Sequence, residues 1–355
     1  MSDDTVLVVG GGIAGLALAR ALRQRDVPFE LLERDPAAGD GGLAINLPGN
    51  AVAALHALGL RAGLEKIGRP TRRREYRSAA GRVLFAVDED EFWGPDARPR
   101  CVRRSDLHAL LGEDTTSTVA KAGPIELEAS GARVGGRPYG FVVGADGVHS
   151  SVREQVFGHA GMRSAVLSRA SWRFMAPNPG VDCFTVWSGA EGAFLMIPVD
   201  ESEVYVFASA TRGGPVEADP SWLRETFGRY PEKVRAVLDS PGRLYHSPIE
   251  EVRIATWHRD RCVLIGDAAH ATAPVWAQGG ALALEDAITL ADLLAAGAWD
   301  SVGARYEERR RDRVTHIQAA TDRFSKVAAL PIRLRNALLP LMGPISYKAA
   351  YGPLR

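Results

Sequence analysis

The sequence predicts an α/β protein: a doubly wound parallel sheet, joined to an antiparallel β-sheet and closed by C-terminal helices. Three observations carry this reading. An apolar, β-rich segment at 5–9 runs into a glycine turn and an Ala/Leu-rich helix. Two later apolar segments, 141–147 and 261–267, also end in Gly and Asp. The stretch 161–255 is rich in aromatic residues set in alternating or β-rich runs. A chain of 355 residues, 46% hydrophobic and 24% charged, is long enough for two or three structural units and a core that needs no staples.

Thr5-Val6-Leu7-Val8-Val9 is apolar on both faces, as a buried parallel strand requires. It leads into Gly10-Gly11-Gly12-Ile13-Ala14-Gly15, in which Gly10, Gly12 and Gly15 match GxGxxG. The first permits a tight turn, the second lets a pyrophosphate approach the backbone, and the third lets the following helix pack close. That helix, Leu16 to about Arg25, offers unpaired N–H groups and a partial positive charge at its start. Pro28 to Glu33 reads as the next strand. Glu33 stands where an acid accepts hydrogen bonds from a ribose, with Arg34 beside it. Strand, turn, helix, strand and acid in this order predict a dinucleotide site of Rossmann type. The motif alone does not separate NAD from FAD.

Phe141-Val142-Val143-Gly144-Ala145-Asp146-Gly147 is a second buried strand ending in an acid, and Ser150 or Ser151 suits the N-cap of the helix after it. Arg261 to Asp267 is a third. A loop with Pro274 and Gly279-Gly280 follows, and Ala281 to about Ala296 reads as a long helix. In a doubly wound sheet these strand ends line one crevice. Asp267 could accept hydrogen bonds from a polyol, and the helix near Gly280 could aim its N-terminus at an anionic ring such as reduced flavin.

The three motifs in this order resemble the class A flavoprotein monooxygenases, the para-hydroxybenzoate hydroxylase-like family. The most specific segment is Gly266-Asp267-Ala268-Ala269-His270, with Pro274, Gln278-Gly279 and Glu285-Asp286-Ala287 after it. Ala145-Asp146-Gly147 resembles the family's DG motif, and Arg104 in Arg104-Ser105-Asp106-Leu107 matches its R-x-x-L helix start. The resemblance implies a glutathione reductase-type FAD-binding domain with a substrate sheet. It also implies non-covalent FAD, NADPH or NADH as a transient reductant, O2 as co-substrate, and a flavin C4a-hydroperoxide that hydroxylates or epoxidises a small aromatic molecule. It places the FAD domain at 1–70, 100–160 and 255–299. A substrate-domain excursion falls at 71–99, the substrate sheet at 161–254 and the closing helices at 300–355.

On this reading FAD lies against Gly10, Gly12, Ile13, Ala14, Gly15, Glu33, Arg34, Arg104, Asp146, Gly266, Asp267 and Gln278. Pro274, Gly279 and Gly280 both hold the cofactor and carry the catalytic edge of the flavin. Trp172, Phe194, Met196, Tyr205, Phe207 and Trp276 are the candidate substrate contacts. The chain departs from the family at Ala277, where glycine is usual, so a positive φ there would be strained. It departs again in the short stretch from Leu111 to Tyr139, which leaves one FAD-domain strand trimmed.

The remaining features exclude more than they assign. Lys+Arg and Asp+Glu are both 43, which removes the broad basic field of a nucleic-acid binder. Three scattered cysteines form neither a disulfide framework nor a metal pair, and no HxxxH, Walker A or Gly-x-Ser-x-Gly pattern occurs. No metal, nucleic acid or membrane partner is expected. The acidic start and the lack of a long apolar run suit a cytoplasmic monomer or homodimer. His270 reads as a packed loop residue. The arginines at 72–74, with Arg69 and Arg77, read as a solvated cluster that could attract NAD(P)H phosphates, and those at 309–313 as ion-paired and exposed. Breaks are expected at Pro331, Pro340 and Pro344. A flavin-dependent halogenase is the first alternative, but Phe194-Leu195-Met196-Ile197-Pro198 lacks its tryptophans. A plain NAD dehydrogenase leaves the Gly266-Asp267 loop unexplained. A non-catalytic FAD-binding partner protein is the third.

Overall fold

The computed structural model describes residues 4–35, 43–158, 162–164, 171–210, 220–247 and 249–355. The expected boundary at 160/161 lies outside them. Val6–Val9 is inner to a six-stranded sheet ordered 258–259, 262–264, 141–144, 6–9, 29–33, 118–119. Its neighbours, Phe141–Gly144 and Phe29–Glu33, are both parallel to it. Helices cover it, so Val6, Leu7 and Val8 have no exposed surface. Only the two-residue edge strand His258–Arg259 is antiparallel. The short stretch 111–139 supplies the two-residue edge strand Thr118–Val119 and a separate three-stranded sheet over 125–139.

A seven-stranded sheet is ordered 245–247, 171–177, 203–210, 192–198, 184–188, 73–78, 83–88. It is antiparallel except where Phe184–Ser188 runs parallel to Arg73–Ser78. The excursion at 71–99 therefore completes this second sheet rather than the first one. Pairing of Phe194 with Ala208 and of Met196 with Val206 fixes which side chains share a face. Trp172, Phe174, Trp187, Phe194 and Met196 all face two amphipathic helices, Pro220–Phe227 and Glu232–Asp239, through Leu223, Phe227 and Val234. The opposite face carries Met175, Leu195, Ile197 and Tyr205, which meet Ala44 and Cys101. Phe207 on that face meets Ile249 and Ala273.

This corrects the expectation for Trp172, Phe194 and Met196. They are core behind the sheet, because the helix pair at 220–239 offers their apolar face a partner. Tyr205 and Phe207 lie on the front. Phe194→Ala should cost about 3–5 kcal/mol of stability in urea denaturation and leave substrate KM unchanged. Phe207→Ala should raise KM with a smaller stability loss.

The chain closes with helices Val302–Ala328 and Ile332–Tyr351. The break falls at Pro331; Pro340 and Pro344 lie within the last helix, contrary to expectation. Its inner face explains this. Gly343 sits so close to the Phe85 ring that a Cβ would lie 2.4 Å from it, and Tyr347, Ala350 and Tyr351 are buried. That packing offsets the roughly 3 kcal/mol that an interior proline costs. The arginine cluster is also revised. Arg74 is 1% exposed, paired with buried Glu89 at 2.7 Å, with its guanidinium 3.9 Å above the Phe184 ring. Arg73 and Arg77 both pair with Glu75. Arg74 thus pins the seven-stranded sheet to the last helix through the Tyr347–Glu89 and Tyr351 hydroxyl contacts. No helix among the described residues is long and apolar enough to cross a membrane.

Candidate active site

The C-terminal ends of strands 6–9, 141–144 and 262–264 converge on one crevice. Gly10, at φ +109°, lies against Ala145: a Cβ would fall 2.5 Å from the Ala145 carbonyl oxygen. At Gly15 a Cβ would fall 1.8 Å from the Gly10 carbonyl oxygen. Both positions admit only hydrogen. In front of Gly12 nothing lies within 4 Å, and no side chain caps the helix Ile13–Arg23 that it opens. Ile13 and Ala14 carry that first turn. Glu33 Oε2 accepts from the Gly11 N–H at 2.5 Å and Oε1 accepts from Asp35 N–H at 2.7 Å. This fixes the carboxylate at the turn, with Arg34 exposed beside it.

Asp267 begins a short helical turn after the third strand. Its side chain has accessible surface, yet protein encloses it. Both are true of a group facing an internal recess. Burial pushes its carboxyl up, opposed by the charges of His270, Arg104 and Arg173. A Cβ on Gly279 would meet only Asp267 Oδ1, at 3.5 Å. The helix Gly279–Ala295 starts there with no side-chain cap. Asp267, Gly279 and Gly280 therefore border one recess, near the open space at Gly12, while Gly266 is buried against Ala14 and Ala283 behind it. These groups fit FAD. Two uncapped helix N-termini suit a pyrophosphate and an anionic ring, Asp267 suits the ribityl hydroxyls, and Glu33 suits the adenosine ribose.

Other residues behave differently from the expectation. Asp146 caps the helix Ser151–Phe157, accepting from the Ser151 and Val152 N–H groups at 2.7 and 3.2 Å. Its carboxylate is thereby occupied; Ser150 caps the same helix through the Arg153 N–H at 2.9 Å. The Gln278 amide is buried against Asn50, each donating to the other at 3.0 Å, so its side chain is committed within the protein. The Trp276 ring packs between Phe324 and Tyr351, with centroids 5.8 and 5.7 Å away. It braces the C-terminal helices instead of the front of the seven-stranded sheet. Pro274 opens the single turn that carries it. Arg104 heads the helix Arg104–Gly112, exposed, with its charge felt at Asp267.

Ala277 follows at φ +52°, ψ +34°. Left-handed backbone costs an L-residue about 1–2 kcal/mol, whereas glycine costs about 0.5–1 kcal/mol in chain entropy. Ala277→Gly should therefore stabilise the protein by up to about 1 kcal/mol, read as a higher Tm. A lower Tm would show that the loop does not need this conformation.

Beneath the recess lies a network that the sequence reading missed. Asp286 has no exposed surface and accepts from Gly266 N–H at 2.9 Å, His270 Nε2 at 2.7 Å and Arg310 Nε at 2.7 Å. Burial alone would raise its pKa, but the His270 and Arg310 charges and these hydrogen bonds hold it well below the usual carboxylate range. Glu285 accepts from Asn50 Nδ2 at 2.8 Å and pairs with Arg313 at 2.7 Å. Arg310 is thus buried, not solvated, and His270 is committed to Asp286, packed at the end of the helical turn that Asp267 begins rather than in a loop. Arg173 was also missed. It is a lone cation among apolar neighbours on strand Ser171–Pro177, on the front face, 5.9 Å over the Phe207 ring. That isolation was the available signal. Among the described residues no cluster could hold a metal ion.

Comparison with known proteins agrees with this geometry. Residues 139–321 match the family model described as FAD binding domain. Residues 8–54 match an NAD(P)-binding Rossmann-like domain. A 3-amino-4-hydroxybenzoate 2-monooxygenase of Streptomyces cremeus is 33% identical, over 93% of this chain and 89% of that protein. A 2-heptyl-3-hydroxy-4(1H)-quinolone synthase of Pseudomonas aeruginosa is 30% identical, over 88% and 87%. Among solved structures, 2-methyl-3-hydroxypyridine-5-carboxylic acid oxygenase superposes with a TM-score of 0.81 at 22% identity, covering 99% of this chain and 96% of that one. Klebsiella pneumoniae HpxO, complexed with FAD and uric acid, gives 0.80 at 22%, covering 99% and 92%. The crevice, the uncapped helices around it and these full-length relatives make one family: the chain belongs to the FAD-binding class A flavoprotein monooxygenases that act on aromatic substrates.

Proposed function

We propose that the chain takes electrons from NADH or NADPH and inserts one atom of O2 into a small, electron-rich aromatic or heteroaromatic molecule. The observation that carries this is the recess shared by Asp267, Gly279 and Gly280, placed at an uncapped helix start. Relatives acting on an aminohydroxybenzoate and named for a quinolone support the substrate class. Bound FAD supplies the redox chemistry and the activation of O2.

The protein's own part is binding, charge stabilisation and exclusion of water. Gly12 and the helix behind it would hold the pyrophosphate, Glu33 the ribose and Arg104 the phosphates or flavin edge. The N–H groups of Gly279 and Gly280, with the helix dipole, would stabilise negative charge on the flavin. Pro274 would shape the loop beside it. The front of the substrate sheet closes the site with Tyr205, Phe207 and Arg173. Burial pushes the Tyr205 phenol up to about 12, so it stays a neutral hydrogen-bond donor at physiological pH. Arg173 supplies a cation for a phenolate or carboxylate. The GxGxxG turn is taken by FAD, so the nicotinamide docks transiently. The FAD domain is assigned to 1–70, 100–160 and 255–299, and the substrate sheet to 71–99 and 161–254.

Anaerobic stopped flow tests the reading. NADH or NADPH should bleach the flavin, faster with substrate present, and mixing with labelled O2 should leave one labelled atom in product. No bleaching with either nucleotide would defeat it. Bleaching with halide-dependent product would favour the halogenase.

A further inference from the structure

We infer that the last helix docks on an anionic lipid surface. Leu334, Leu338, Leu341, Met342 and Ile345 are 38–73% exposed. At 100° per residue they fall within a stripe about 100° wide, opposite the buried Gly343, Tyr347 and Ala350. The helix thus has two apolar faces, and the protein itself covers one. Phe324 and Val327, at the end of the preceding helix, are exposed as well. Of the nine large exposed hydrophobics among the described residues, seven are in this region.

The charge around the patch names its partner. From Arg323 to the C-terminus there are six cations and no Asp or Glu, in a chain whose total charge is zero. Arg323, Lys326, Arg333 and Lys348 are exposed, and Lys348 lies one turn beyond Ile345. An amphipathic helix with basic flanks and no acids suits the headgroup region of an anionic membrane. A second copy of the chain fits less well. A two-fold contact through this helix would set one acid-free cationic segment against another. A 20-residue helix is about 30 Å long. A stripe about 10 Å wide along it covers some 300 Å², well short of the roughly 800 Å² per partner in a stable interface. The expectation of no membrane partner rested on the lack of a spanning segment, which an interfacial helix does not need. Phe324 also touches Trp276 in the turn that precedes the Gly279 helix.

Flotation of the full-length protein with vesicles tests this, independently of turnover. Binding is expected to vesicles of phosphatidylcholine mixed with phosphatidylglycerol, to fall with salt, and to be weak with phosphatidylcholine alone. Leu341→Glu with Ile345→Glu, and separately Arg333→Glu with Lys348→Glu, should each lower the partition coefficient by about tenfold or more. Unchanged circular dichroism would show that the variants fold. Lack of binding to either vesicle would overturn the inference. So would sedimentation as a dimer that the Leu341→Glu, Ile345→Glu variant splits, because the face would then belong to a second copy.

Discussion

Gly15→Ala is expected to yield a folded protein that no longer retains FAD. The methyl group would lie 1.8 Å from the Gly10 carbonyl oxygen, about half a normal contact distance. The neighbouring atom is backbone, so no side chain can swing aside. The helix Ile13–Arg23 must move off the strand, and its N-terminus then no longer meets the pyrophosphate. A shift of even 1 Å at a charge-binding helix end forfeits most of its hydrogen bonds. FAD affinity should fall by more than about a hundredfold, or about 2.7 kcal/mol, measured by flavin fluorescence on titration. Gly12→Ala provides the contrast. Its methyl meets nothing within 4 Å in the protein, so stability should hold. The same methyl would occupy the phosphate's path, so affinity should still drop. If Gly15→Ala binds FAD normally, the crevice is not the dinucleotide site.

Asp286→Ala is expected to lower stability and FAD affinity together. It strips the shared partner from buried His270 and Arg310, and removing one member of a buried ion pair costs about 3–5 kcal/mol. Gly266 N–H, at the tip of the third strand, loses its acceptor in the same step. The loss should appear in urea denaturation together with weaker FAD binding, because the Gly266-Asp267 turn rests on this carboxylate. The pH dependence has a definite sign. The Asp286 pKa is held below its unfolded value of about 4. The stability it contributes is therefore complete above about pH 4 and is lost as pH falls toward the depressed native pKa. Asp286→Asn should flatten that acid limb. An unchanged slope between neutral pH and pH 3 or so would assign the acid sensitivity to other carboxylates.

The parts of the fold that were legible in sequence are those with a local cause. The glycine turn, the apolar strands ending in Gly or Asp, and the Ser150 cap each follow from neighbours within a few residues. So did the strain at Ala277, visible as a departure from a family pattern and found at φ +52°. Contacts between distant segments were not legible. Alternation showed that Phe194 and Met196 share a face and that Tyr205 and Phe207 share one, but not which face meets the crevice. That depended on the helices at 220–239, whose docking is a tertiary fact. Arg74 and Arg310 sat in arginine runs that look solvated. Their partners, Glu89 and Asp286, lie 15 and 24 residues away in sequence. The interior prolines of the last helix were misjudged for the same reason, since packing of Gly343 against Phe85 overrides propensity.

The most direct test is the flavin itself. Protein purified in the dark, or supplied with FAD and desalted, should be yellow and release one FAD per chain on heating, and Gly15→Ala prepared in parallel should be colourless. A well-folded wild-type chain that stays colourless after reconstitution, or holds its pigment equally well with Gly15→Ala, would contradict the assignment of the crevice.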